Sequence, residues 1–256
     1  MPNASRFSLE GRIALVTGAS RGIGSATAEA LAEQGATVVL SSRKQVDLDD
    51  EAARINTRFP KSAVGIAAHA GRPEDLERLV EEVMKRFSRI DILVNNAATN
   101  PYYGPMLGAD LPAWDKTFEV NLRGIFILTK LVYMASMEKH GGAIVNISSI
   151  GGLRPGHGLG IYNITKAGVI MLTRQLAREL GGKVRVNAIA PGLIKTRFAE
   201  GLWSNEAIMD RVLTSNPMGR IGTPDEIAGG VVFLVSDAAS YVNGEVLVID
   251  GGGGDP

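Results

Sequence analysis

Cysteine is absent from the 256 residues, which excludes disulfides and thiolate chemistry. Histidine is scarce: His69, His140 and His157 stand far apart, so no metal site is expected. Net charge is missing too. Lys and Arg total 27 against 27 Asp and Glu, so no global field draws the protein to nucleic acid or to an anionic membrane, and any anion site has to be local. No apolar run approaches the ~20 residues of a membrane span, and Met1 to Arg6 lack the apolar stretch of a signal peptide. The tail Gly254-Asp255-Pro256 carries no address tripeptide. These absences predict a cytoplasmic protein whose partners are small molecules, with neither nucleic acid nor membrane among them. Linkers, repeats and low-complexity tracts are also lacking, so a single domain over 1–256 is the simplest partition.

What is present is the composition of a globular chain, 45% hydrophobic and 21% charged. Seven short apolar runs rich in β-branched residues, Ile13 to Val16, Val38 to Leu40, Val64 to Ala67, Ile92 to Val94, Ala143 to Ile147, Val184 to Ile189 and Val246 to Ile249, alternate with segments of helical period. Strands alternating with helices predict βαβ units, and right-handed crossovers place helices on both faces of the sheet. The expected fold class is therefore α/β, a doubly wound Rossmann-type domain with a seven-stranded, mostly parallel sheet. Pro73 with Glu74 and Asp75 marks a helix start, and Gly35 a helix end. The stretch 192–218, long and of mixed polarity, is expected to be a lid over the active site.

After the first strand comes Thr17-Gly18-Ala19-Ser20-Arg21-Gly22-Ile23-Gly24. Glycines suit a sharp strand-to-helix turn that brings backbone N–H groups against a pyrophosphate, so Gly18, Ser20, Arg21, Gly22, Ile23 and Gly24 are candidate cofactor contacts. The spacing differs from G-x-G-x-x-G, and a ligand-free glycine turn is the plain alternative. Cofactor choice is decided at the end of the second strand, where a carboxylate favours NAD. The residues there are Ser41-Ser42-Arg43-Lys44. A carboxylate 4 Å from a 2′-phosphate would cost about 4 kcal/mol per charge pair at an effective dielectric of 20. Its absence, with Ser42, Arg43 and Arg21 at hand, predicts NADP(H). Asp47, just beyond, partly opposes this, and Arg43 and Lys44 are otherwise ordinary solvated charges.

Tyr162 and Lys166 stand at i and i+4 of a helical segment and share one face. Spacing alone says little, because such pairs commonly decorate surfaces. Their company is more telling: Thr17 to Gly24, Asn95-Asn96-Ala97-Ala98, Val120-Asn121-Leu122, Ser148-Ser149, Tyr162 to Lys166 and Pro191-Gly192 follow in order. In this series the chain resembles the short-chain dehydrogenase/reductase family along nearly its whole length. The resemblance implies a catalytic tetrad of Asn121, Ser149, Tyr162 and Lys166. Ser149 is preferred to Ser148 because the family serine usually lies thirteen residues before the tyrosine. In reducing a carbonyl, Tyr162 supplies the proton as general acid, Ser149 polarises the oxygen, and positive charge from Lys166 favours tyrosinate for the reverse reaction. By analogy Asn121 holds a water that links Lys166 to solvent, and Lys166 holds the nicotinamide ribose. Cofactor contacts implied by position are Asn95 and Ala97 beside the adenosine ribose, Tyr162 and Lys166, and Pro191, Gly192, Ile194 and Thr196 around the nicotinamide. Where most members carry an acid after the third strand, this chain has His69, which either hydrogen-bonds adenine or is simply exposed.

Further features, among them Asn100-Pro101-Tyr102-Tyr103-Gly104 and Pro191 to Thr196 followed by Phe198 and Leu202-Trp203, resemble the NADPH-dependent carbonyl and retinal (dicarbonyl) reductase branch. The substrate implied is a small-molecule ketone, aldehyde or dicarbonyl, or the matching alcohol. Phe198, Leu202, Trp203, Ile208, Met209 and Leu213, facing Leu153, Leu159 and Tyr103, suggest an apolar pocket, unless they pack the lid onto the body. His157 is expected to be exposed rather than to touch substrate. Two other functions fit the sequence: reduction of a 3-oxoacyl thioester on acyl carrier protein, and a catalytically silent NADP(H) sensor or scaffold. The helical segments around Asn121 to Met137 and Tyr162 to Leu180 are more apolar than one sheet face requires. The family buries such faces between subunits, so a homotetramer is expected, with the last strand and the Gly251 to Gly254 tail in a second contact.

Overall fold

A computed structural model describes residues 6–253. The expectations resting on Met1 to Ser5 and on Gly254 to Pro256 lie outside them. Each of the seven apolar runs is a strand: β1 Ile13–Thr17, β2 Thr37–Ser42, β3 Ala63–Ala67, β4 Ile92–Asn95, β5 Gly142–Ile147, β6 Val184–Pro191 and β7 Val246–Ile249. They form one sheet in the order β3-β2-β1-β4-β5-β6-β7, and every neighbouring pair is parallel. Successive side chains of a strand point to opposite faces, so the sheet feeds two cores. Val16, Leu40, Val94, Val145 and Ile189 pack on one side, and Leu15, Val39, Leu93, Ile144 and Val186 on the other. Burial on both faces is why these runs are apolar at consecutive positions.

The helices follow their punctuation. α1 covers Gly22–Glu33 and is followed by Gly35 at φ +95°, α2 covers Gln45–Arg58, and α3 covers Pro73–Phe87 with Glu74 and Asp75 in its first turn. Pro224–Val235 opens with a capping box of Thr223 and Glu226. Between β4 and β5 runs one continuous helix, Leu111–His140, long and apolar enough to cross a membrane by length and composition alone. This corrects the expectation that no stretch approaches the composition of a membrane span: polar residues interspersed in the segment break up its apolar run, although its mean hydropathy is high. Half of its most apolar window is buried in the fold, and Leu128, Val132 and Met137 sit wholly within the core. Two π turns, Glu119–Arg123 and Tyr133–Met137, interrupt its α geometry.

Because all strands are parallel, their carboxyl ends share one edge. Order reverses between β1 and β4, and the crevice opens there. The segment after β6 crosses that edge as two short helices, Glu200–Trp203 and Glu206–Ser215.

Candidate active site

At the crevice the ends of β1 and β4 are laced together. Thr17 Oγ1 accepts from the N–H groups of Asn96 and Ala97 at 3.0 and 3.1 Å and donates to the Val94 carbonyl at 3.3 Å. Asn96 Nδ2 donates to the carbonyls of Thr17 and Gly18 at 2.9 and 3.1 Å, which fixes the glycine turn from below. Gly18 and Gly22 adopt φ of +64° and +61°, a region that favours glycine. Gly24 serves packing: a Cβ there would lie 2.3 Å from the Gly18 carbonyl oxygen and 2.6 Å from Asn96 Nδ2.

A cleft of about 1290 Å³ extends from this turn in two directions. Its walls include the expected Gly18, Ser20, Arg21, Gly22, Ile23, Ser42, Arg43, His69, Ala97, Pro191, Gly192, Ile194 and Thr196, along with Lys44 and Asp47. Gly24 and Asn95 are the exceptions: Gly24 is spent on the packing of the turn, so it does not reach the cleft wall. The case of Asn95 is one of strand register. Asn95 ends β4 on the inward face, 1% exposed, with Nδ2 donating to Asn146 Oδ1 at 2.8 Å and Thr129 Oγ1 at 3.2 Å. Its neighbour Asn96 takes the cleft position, because adjacent residues leave a strand on opposite sides. The lining residues suit a dinucleotide: Gly18 and Gly22 present backbone without side chains to the cleft, and Arg21, Arg43 and Lys44 line it as cations, with Asp47 beside them.

His69 lies at that end, and its environment is fuller than a lone loop histidine implies. Its Nδ1 accepts from Gly71 N–H at 3.0 Å, and its own N–H donates to Asp75 at 3.0 Å. Lys116 Nζ stands 3.3 Å from Nε2 while paired with Glu119 at 2.8 Å. Burial, then Lys116 and Arg72, lower the imidazole pKa, so the ring is held neutral.

The other end of the cleft carries Ser149, Tyr162 and Lys166. Ser149 follows β5, and Tyr162 and Lys166 project from the helix Gly160–Leu180. The Ser149 hydroxyl is close enough to favour the ionised form of Tyr162, yet burial outweighs it and raises the phenol pKa to about 12. Lys166 is 1% exposed and donates to the Ile147 carbonyl at 2.6 Å; burial lowers its pKa to about 8. Its Nζ is 5.4 Å from the Tyr162 ring centre. The expected lowering of the tyrosine by lysine is therefore reversed in direction, because both charged forms lose solvation in the same interior. A phenol so placed is protonated throughout neutral pH, as a proton donor must be.

Asn121 is fully buried in the first π turn. Its Oδ1 accepts from Thr99 N–H at 2.8 Å, and its Nδ2 donates to the Thr99 carbonyl at 2.9 Å and to Thr165 Oγ1 at 3.2 Å. The side chain thus braces the loop after β4 against the helix that carries Tyr162 and Lys166.

Of the apolar residues expected around the substrate, Tyr103, Leu159, Phe198 and Leu202 line the cleft. The Phe198 ring lies 6.1 Å from that of Tyr162. Leu153 and Leu213 are not among the lining residues. Ile208 and Met209 do not line the cleft, and Trp203 turns its indole N–H onto the Thr196 carbonyl at 2.8 Å. Arg154 and Arg197 also line the wall, so the pocket is less apolar than the sequence suggests. His157 is exposed.

A protonated phenol beside a hydroxyl, at one end of a cleft shaped for a dinucleotide, is the equipment of an oxidoreductase that interconverts an alcohol and a carbonyl. The chain belongs to the short-chain dehydrogenase/reductase family. A family profile described as enoyl-(acyl carrier protein) reductase matches residues 18–253. Dehydrogenase/reductase SDR family member 4 of Oryctolagus cuniculus is 41% identical over 248 residues, 96% of this chain and 95% of that protein. Among solved structures, a gluconate 5-dehydrogenase from Burkholderia cenocepacia in complex with NADP and tartrate superposes with a TM-score of 0.92 at 32% identity, covering 97% of each chain. The NADPH-dependent 3-quinuclidinone reductase of Rhodotorula rubra gives 0.91 at 30% identity, covering 98% of this chain and 95% of its own.

Proposed function

We propose that the chain reduces small ketones, aldehydes or dicarbonyls with NADPH. The observation that carries this reading is that Ser149, Tyr162 and Lys166 line the same cleft whose far end holds Arg21, Arg43 and Lys44. The bound nicotinamide supplies the hydride. Tyr162 gives its proton to the alkoxide that forms, and Ser149 donates a hydrogen bond to the same oxygen. Lys166 places positive charge behind the phenol and holds the ribose hydroxyls, while Pro191, Gly192, Ile194 and Thr196 orient the ring. Ser42, Arg43 and Arg21 hold the 2′-phosphate, with no carboxylate at Ser41 or Ser42 to repel it. His69 and Ala97 flank the adenosine. The 192–218 segment acts as the lid, with Phe198 laid against Tyr162.

NADP in the Burkholderia relative and NADPH dependence in the Rhodotorula reductase support the cofactor choice. A competing substrate is a 3-oxoacyl thioester; the description of the matching profile shares with it the acyl carrier but names an enoyl group in place of the ketone. Exposed Phe126, Met134, Ile164 and Met171 on the two long helices support a homotetramer, which sedimentation at micromolar protein tests.

Activity is tested by following NADPH absorbance against diketones, keto esters, aromatic ketones and an acetoacetyl thioester. Turnover of the first three groups, lost in Tyr162→Phe with NADPH binding retained, is expected. Unchanged turnover in Tyr162→Phe removes the assigned acid, preference for the thioester redirects the substrate, and tighter binding of NADH than NADPH overturns the cofactor.

A further inference from the structure

The turn that carries Ser149 is pressed onto the catalytic helix by two adjacent glycines. At Gly151 a Cβ would stand 2.1 Å from Asn163 Oδ1, and at Gly152 it would stand 2.6 Å from the carbonyl carbon of Lys166. Asn163 and Lys166 are three residues apart, so both glycines dock on one helix face. Ser148 Oγ adds a bond to the Lys166 carbonyl at 2.9 Å.

Asn163 is the polar member of this contact. It lines the cleft, is only 7% exposed, and its Oδ1 has no hydrogen-bond partner. A buried acceptor without a partner calls for a reason. Its Nδ2 reaches the Gly156 carbonyl at 3.5 Å, so the carboxamide spans the turn from Gly151 to Gly156. Gly151 in turn donates its N–H to Ser149 Oγ at 3.0 Å. A hydroxyl whose oxygen already accepts that bond has its own proton free to donate elsewhere.

We infer that Asn163 is a positioning residue: it seats Gly151 so that the Gly151 N–H holds the Ser149 oxygen and the Ser149 proton is aimed at Tyr162 and the substrate oxygen. The inference rests on the proposed roles of Ser149 and Tyr162. It makes Asn163 act through Ser149 and predicts non-additivity between the two.

The test is a double-mutant cycle of Asn163→Ala and Ser149→Ala, with kcat and KM measured on the best ketone of the panel, cofactor Kd read from NADPH fluorescence, and folding checked by thermal melts. In the parent, Asn163→Ala is expected to lower kcat by about tenfold or more, with NADPH Kd within about twofold. On the Ser149→Ala background the same change should cost less than about twofold. In the oxidation direction, Asn163→Ala should also move the rising limb of the pH profile to higher pH, because Tyr162 loses the hydrogen bond that favours its ionised form. A merely structural role moves neither reading. Gly151→Ala provides a second arm: it should lower kcat as Ser149→Ala does, and adding Asn163→Ala, which removes the atom its Cβ strikes, should restore part of the loss. Equal loss from Asn163→Ala on both backgrounds, or a fully active Gly151→Ala, overturns the inference while leaving the active-site reading intact. Unchanged turnover in Ser149→Ala overturns both.

Discussion

Lys166 Nζ lies 5.4 Å from the centre of the Tyr162 ring and donates to the Ile147 carbonyl at 2.6 Å. The two groups titrate further apart than they would in water, the phenol raised to about 12 and the ammonium lowered to about 8, both by burial. Near neutral pH the acid is protonated and the lysine is charged, the pairing that carbonyl reduction requires. Reductive kcat/KM is therefore expected to be level at neutral pH and to decline as pH rises through about 8, where Lys166 loses its proton. Lys166→Arg, charged at all these pH values, should lack that limb. A wild-type profile level to about pH 10 would remove Lys166 from the titration.

The same lysine costs stability. Its pKa is about 8 in the folded protein against an ordinary 10.5, so between those values the unfolded chain holds more protons and stability rises with pH. Below 8 the penalty is full, on the order of 3 kcal/mol. Lys166→Met is expected to abolish turnover yet raise Tm at pH 7, with the gain shrinking as pH approaches 10.5. A lower Tm at pH 7 in that variant would show that the Ile147 hydrogen bond outweighs the desolvation.

Asn95 and Asn96 should separate cleanly on substitution. Asn96→Ala frees the carbonyls of Thr17 and Gly18 and is expected to weaken cofactor binding several-fold. Asn95→Ala leaves the cleft untouched but strips Asn146 and Thr129 of a buried partner, costing about 1–3 kcal/mol. Titration with NADPH and urea denaturation of each variant distinguish the two outcomes, and a large cofactor effect from Asn95→Ala would contradict the geometry.

This pair also marks the boundary of what the sequence carries. The β-branched runs announced all seven strands, because burial on both faces leaves only apolar residues, and Tyr162, Lys166 and Ser149 were legible through their fixed offsets. Two identical residues at a strand end are another matter, since which of them faces the crevice depends on where the pleat stops. Depth is equally invisible: the direction of the Tyr162 shift follows from how far the phenol is taken out of water, not from its neighbour at i+4. Trp203 reads as pocket lining in the sequence, but its indole N–H donates to the Thr196 carbonyl within its own segment. Asn163 and Gly151 went unnoticed because their contact joins segments twelve residues apart that carry no shared motif.

Glycines in similar settings should respond in opposite ways. Nothing lies within 4 Å of a Cβ at Gly229, inside the helix Pro224–Val235, so Gly229→Ala is expected to stabilise by about 0.4–1 kcal/mol. At Gly24 the added Cβ meets backbone at 2.3 Å, and Gly24→Ala should displace the glycine turn and abolish NADPH binding. Paired thermal melts and NADPH titrations check both.

The π turn at Glu119–Arg123 makes the site sensitive to the length of the chain as well as to its spelling. A π turn accommodates one residue more than the α geometry around it, and each residue of an α-helix advances the azimuth by about 100°. Deleting a single residue here would let the helix close into regular α form and swing Asn121 off Thr99 and Thr165, with every side chain of the tetrad still encoded. Insertions and deletions in this stretch should therefore be as damaging as the loss of Asn121 itself, although the surrounding helix would gain regularity.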